Sequence, residues 1–133
     1  MINLPEIRDF IDVLNQKKRY LSVNVSIAKA IFIHLERLAE ANNYKDIQKI
    51  RMLKFATKQK KPFQNVNMRI AMGIVEHLYQ LAQNNGYKDI KDIHTLKVHL
   101  DEAKQPFQPA TIGVAQSIMT HLYQLAESIQ NTN

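Results

Sequence analysis

Cysteine is absent from the 133 residues, which excludes disulfides, thiolate metal sites and cysteine nucleophiles and suits a reducing compartment. Glycine is almost as scarce: Gly73, Gly86 and Gly113 are too few and too scattered for a phosphate-cradling glycine-rich loop. Long apolar runs are missing as well. The first ten residues carry Glu6, Arg8 and Asp9 where an export signal would need an apolar core, and no later stretch approaches the roughly 20 apolar residues of a membrane span. A cytoplasmic protein with no membrane partner is the expectation. Acidic residues are in deficit too. Twelve Asp and Glu stand against eighteen Lys and Arg, and the formal charge of +6 favours nucleic acid or acidic protein surfaces over neutral partners.

What the chain does contain is repetition. An offset of 43 to 44 residues aligns His34-Leu35 with His77-Leu78 and His121-Leu122. It also aligns Tyr44-Lys45-Asp46-Ile47 with Tyr87-Lys88-Asp89-Ile90, Lys61-Pro62-Phe63-Gln64 with Gln105-Pro106-Phe107-Gln108, and Ile7-Arg8 with Ile50-Arg51. One domain spanning 1–133 and made of units 1–43, 44–86 and 87–133 follows, with a period in the range of two-helix repeats.

Apolar residues fall at helical spacing in both halves of each unit. The first helix has Ile7, Phe10 and Leu14, then Ile50, Leu53 and Thr57, then Ile93, Leu96 and Leu100. The second has Ile27, Ile31 and Leu38 with their counterparts Ile70, Ile74, Leu81 and Val114, Ile118, Leu125. Asn3, Asp46 and Asp89 precede the first helices, and Asn24, Asn67 and Thr111 the second, as candidate N-caps; Pro109 permits an earlier start in the last copy. The fold class predicted is all-α, three tandem helical hairpins and six helices, arranged as a short solenoid-like stack or a compact bundle. The period resembles that of HEAT-type helical repeats in architecture alone.

Equivalent positions invite equivalent explanations. Tyr20, Phe63 and Phe107 read as aromatic plugs closing each hairpin, and Ala30, Gly73 and Ser117 as small residues at a close helix contact. His34, His77 and His121 lie inside the apolar stripe. A ring nitrogen bonded to a carbonyl or loop group of its own or the adjoining unit accounts for them, and a pH-sensitive seam is the sharper alternative. A shared metal is excluded because equivalent residues on neighbouring helices stand roughly 8 to 10 Å apart. Tyr44, Tyr87, Tyr79 and Tyr123 read as bridges between hairpins with hydroxyls at the rim, or else as exposed rings on which bases stack.

Catalytic patterns are lacking. No serine occupies a G-x-S-x-G elbow, His94 and His99 are five apart rather than four, and the adjacent Asp101-Glu102 project in different directions. The expectation is a protein that is not an enzyme and takes neither a cofactor nor a small-molecule substrate.

Charge is distributed unevenly. The first unit has six basic and five acidic residues, the second eight and two, the third four and five. Within the second, Arg51, Lys54, Lys58 and Lys61 fall at i, i+3, i+7 and i+10, one helical stripe. Arg8 and Lys18 match it in the first unit, Lys97 and Lys104 in the third, and Lys17, Lys18, Arg19, Lys60 and Lys61 extend it into the loops. These cations predict a surface for an RNA or DNA backbone, alone or within a larger nucleoprotein complex, or alternatively for an acidic protein.

Overall fold

The computed structural model describes residues 2–102 and 106–131. It contains six helices that alternate short and long: α1 (Leu4–Asn15), α2 (Val25–Ala41), α3 (Ile47–Lys58), α4 (Met68–Asn84), α5 (Ile90–Glu102) and α6 (Ile112–Asn131). Among the described residues there is no strand, only isolated bridges between loops.

Local chemistry sets the helix ends. The Asn3 side chain accepts from the Glu6 N–H at 3.1 Å, Asn24 from Ile27 at 2.9 Å, Asn67 from Ile70 at 3.2 Å, and the Thr111 hydroxyl from Val114 at 3.4 Å. Asp46 makes no such bond. Pro109 does not advance the last helix: α6 starts at Ile112, in register with Val25 and Met68, because Pro109 is held in the bridge to Asn67. The first two long helices, α2 and α4, stop in Schellman turns. The Tyr44 N–H reaches back to the Ala39 carbonyl, and Tyr87 to Ala82, both at 3.0 Å, across the positive-φ residues Asn43 and Gly86. Thr57, the one polar member of its stripe, is buried because its hydroxyl donates to the Leu53 carbonyl at 2.9 Å.

Helix partners are chosen across the unit boundaries. α2 packs along α3, α4 along α5, and α1 along α6, so the last pair joins the two ends of the chain. α2, α4 and α6 also touch one another and form the centre. The arrangement is thus a closed compact bundle of approximate three-fold symmetry rather than an open solenoid-like stack.

Backbone hydrogen bonds explain the closure. The Val23 N–H donates to the Ala110 carbonyl at 2.7 Å, Ala110 to Val66 at 2.9 Å, and Val66 to Val23 at 2.9 Å, a ring in which each loop serves the next. Above it, Val25, Met68 and Ile112 each donate at 2.7 Å to Gln64, Gln108 and Leu21, and Ser26, Arg69 and Gly113 donate to Pro62, Pro106 and Arg19. N–H groups that a helix start leaves without an intrahelical partner are therefore taken by a neighbouring loop.

The axis below this ring is lined in layers by Val23, Val66 and Ala110, then Ala28, Ala71 and Ala115, then Ile31, Ile74 and Ile118; it encloses only about 10 Å³ and is packed, not a channel. Leu35, Leu78 and Leu122 are fully buried around it. Truncating any one to alanine costs about 2–5 kcal/mol. Small residues matter where expected in the middle unit, since a Cβ on Gly73 would stand 3.1 Å from Leu53 Cδ1.

Candidate nucleic-acid interface

Closure sorts the predicted cations into two groups. The first lies in the seams between a short helix and its long partner, and its charges are engaged. Arg51 Nε donates to Glu36 Oε2 at 2.8 Å, Lys54 donates to the other oxygen of the same carboxylate, and Arg51 Nη2 stands 3.5 Å from Glu40. Burial pushes the Glu36 carboxyl up, but hydrogen bonds and charge from Lys54 and Arg51 outweigh it and hold the group below the ordinary carboxylate range. Lys97 pairs with Glu76 at 3.3 Å and lies 5.4 Å from the Tyr79 ring. Arg8 donates to the Tyr123 hydroxyl and stacks 5.2 Å from its ring; that bond raises the guanidinium pKa. These four residues join helices and do not present an open cationic rod.

The second group stands at the end of the bundle where the three interhelix loops meet. Lys17, Lys18, Arg19, Lys58, Lys60 and Lys61 are all exposed there. None forms an ion pair with a described carboxylate. Lys104 lies outside the described residues. Hydrogen bonding between the loops brings Lys17–Arg19 and Lys60–Lys61 to the same end of the bundle, although the two clusters are 41 or more residues apart in sequence.

Helix composition leaves this end cationic. α2, α4 and α6 all start here, and none has an acidic residue in its first turn, where the helix dipole favours one. Arg69 even places a positive charge in the first turn of α4, against that preference. Nearby carboxylates are confined to Asp12, Asp101 and Glu102, on the last turns of α1 and α5.

Aromatic rings share the same end. Tyr20, Phe63 and Phe107 do not plug their hairpins: they are 71%, 74% and 75% exposed. The ring of loop hydrogen bonds turns Val23, Val66 and Ala110 inward and buries them, so the bundle end is closed by these smaller side chains instead. Cations lie against two of the rings, Lys18 at 5.9 Å from Tyr20 and Arg69 at 5.9 Å from Phe107. Exposed rings between unpaired lysines can stack on bases while the lysines meet phosphates.

The opposite end, built from the turns at 42–46 and 85–89, treats its aromatics differently. Tyr44 and Tyr87 are buried, not set at a rim or available for stacking. The Tyr44 hydroxyl donates to Gln80 Oε1 at 2.7 Å and lies 2.8 Å from His77 Nδ1; Tyr87 repeats this with Gln124 at 2.6 Å and His121 Nδ1 at 3.3 Å. A hydroxyl with its one proton given to glutamine accepts from the imidazole, which fixes the Nδ1-protonated tautomer. His77 and His121 thus bond a turn residue of their own unit. Burial lowers their pKa, more than Asp46 and Glu76 raise that of His77 or Asp92 and Asp89 that of His121. In the first unit His34 packs at 5.8 Å on Phe10, and burial lowers its pKa against the raising effect of Glu6. Tyr79 and Tyr123 are half-buried under Lys97 and Arg8.

Sequence reasoning missed Arg69 and the outward turn of Tyr20, Phe63 and Phe107. The signal available was Arg69 itself, a basic residue two positions after an N-cap. Among the described residues no group of three or more His, Asp or Glu side chains is placed to hold a metal ion, and no helix is long and apolar enough to cross a membrane. No family model, curated protein or solved structure matches the chain.

Proposed function

We propose that this chain is a non-enzymatic binding protein that engages single-stranded nucleic acid with its loop end, through phosphate contacts and base stacking. The observation that carries this reading is the coincidence of unpaired Lys17, Lys18, Arg19, Lys60 and Lys61 with three solvent-facing rings on one surface. Rings without lysines would fit an apolar partner, and lysines without rings any polyanion. Together they fit a strand whose bases are unpaired.

A labelled oligonucleotide titrated at several salt concentrations tests it. Replacing Lys17, Lys18, Lys60 and Lys61 by alanine is expected to lower the slope of log K against log salt by about 0.7 per lost contact. Arg51→Ala with Lys54→Ala serves as the control. It strips Glu36 of its partners, so it costs about 1–3 kcal/mol of stability and leaves the salt slope in place. No binding by the wild type, or an unchanged slope in the lysine variant, defeats the proposal.

An acidic protein surface is the second reading, favoured by Met52 and Phe55, both exposed on α3 beside Lys58. A partner retained after nuclease treatment and lost in a Met52→Ser, Phe55→Ser variant would support it.

A further inference from the structure

Three-fold repetition makes departures from it informative. Each loop lies over the start of a long helix from another unit, so three equivalent seams surround the loop end. In the seam of the second loop with α2, the positions in question are Pro62, Ser26, Ala30 and Val13. In the seam of the third loop with α4 they are Pro106, Arg69, Gly73 and Ala56. In the seam of the first loop with α6 they become Arg19, Gly113, Ser117 and His99. Proline gives way to arginine, and a larger side chain gives way to glycine directly beside it.

The consequence is a cleft of about 380 Å³. A Cβ on Gly113 would stand 3.4 Å from Arg19 Nε and 3.5 Å from Nη2, so the guanidinium lies on the bare helix backbone. Leu96 and Val114 supply an apolar wall, Thr111 and Ser117 hydroxyls, His99 an imidazole and Tyr20 the aromatic ring, and among the described residues no carboxylate lines the space. Arg19 and Ser117 also border a second hollow of about 260 Å³ that leads to Thr120 and His121. The Gly113 N–H is already given to the Arg19 carbonyl, so side chains and not the helix start define the chemistry.

We propose that this cleft is a nucleotide subsite: the Arg19 guanidinium takes a phosphate, and the base lies between the Tyr20 ring and the Leu96–Val114 wall. The ligand class rests on the reading of the loop end given above. An arginine fork matches two phosphate oxygens, and an aromatic face accepts any base. The volume falls in the range of about 300–1,000 Å³ typical of small-ligand sites. Absence of carboxylates from the lining disfavours cationic ligands. The other two seams hold Pro62 or Pro106 at the position of Arg19 and Ser26 or Arg69 at that of Gly113, so an arginine over a bare helix backbone occurs in one of the three seams.

The test titrates the full chain with adenosine 5′-monophosphate, adenosine and inorganic phosphate separately, following backbone amides by NMR. The monophosphate is expected to bind saturably and at least tenfold more tightly than either half, with shifts centred on Arg19, Tyr20 and Gly113. Arg19→Ala is expected to weaken it at least tenfold, Arg19→Lys less, and Tyr20→Ala several-fold; these side chains are exposed, so the fold is not at risk. The Lys60→Ala, Lys61→Ala variant should keep monophosphate affinity within twofold while losing oligonucleotide affinity. Equal weak binding of all three probes, or indifference to Arg19→Ala, overturns the subsite while leaving oligonucleotide binding intact. Monophosphate binding without oligonucleotide binding would instead assign the cleft to a free nucleotide and sink the strand reading.

Discussion

The two ends of this bundle come from the same repeated unit, yet they handle polar and aromatic residues in opposite ways. At the turn end Tyr44 and Tyr87 are 4% and 3% exposed and their hydroxyls are bonded to histidine and glutamine. Asp46 there lies within 3.9 Å of Lys49. At the loop end the rings face solvent and the lysines have no carboxylate partners among the described residues. Stability alone explains the first end. It does not explain the second, where apolar area is left in water and like charges are crowded together.

Equal changes of charge at the two ends should separate them most clearly. Lys17, Lys18, Lys60 and Lys61 changed together to glutamate are expected to weaken oligonucleotide binding by on the order of a hundredfold or more at low salt. The same four-residue reversal at Lys45, Lys49, Lys88 and Lys91 should cost only a few-fold, through net charge; fluorescence anisotropy reads both. Next in size is loss of the rings. Phe63→Ala and Phe107→Ala are each expected to remove about 1–3 kcal/mol from single-strand binding. Thermal unfolding should shift by no more than about 0.5 kcal/mol for either, because the rings are mostly exposed.

The turn end should show the inverse. Tyr44→Phe and Tyr87→Phe each remove a hydroxyl and leave a glutamine oxygen and an imidazole nitrogen short of a partner, at about 1–3 kcal/mol in urea unfolding. Oligonucleotide affinity should not move. The smallest effects are those of pH. The lowered pKa values of His34, His77 and His121 mean that the unfolded chain takes up protons first as pH drops below about 6.5, so stability falls there and levels off once the folded-state groups are protonated. Burial pushes Tyr44 and Tyr87 up to about 12, so their contribution is complete below pH 10 and is lost as pH rises toward 12. Unfolding by urea across pH, with ultraviolet titration of the tyrosines, checks both windows.

Six helices, the caps at Asn3, Asn24, Asn67 and Thr111, and the histidines of the apolar stripe are legible in the sequence because the offset of 43 to 44 displays the same local pattern three times; the cap expected of Asp46 is not made. Helix partners are not. An apolar stripe says which face is buried but not against what, and the choice of α6 for α1 depends on loop hydrogen bonds among Val23, Val66 and Ala110 that no side chain announces. The engagement of Arg51 and Lys54 by Glu36 escaped notice for a related reason: the equivalents of Glu36 are Tyr79 and Tyr123, so the repeat gives no hint of a carboxylate there. Tyr20, Phe63 and Phe107 were visible as equivalent, but equivalence fixes a position and not a direction. The Arg19 cleft depends on four departures from the repeat, each of which reads as drift until the fold puts them together.

We propose that the loop end, and not the seams or the turn end, meets nucleic acid. Amide chemical-shift mapping with a short single-stranded oligonucleotide at low salt tests it most directly. Perturbations are expected to concentrate in residues 16–24, 59–69 and 106–113 and to spare 42–46 and 85–89. Shifts centred on the turns, or spread along α3 and α5 with the loops unaffected, would contradict it.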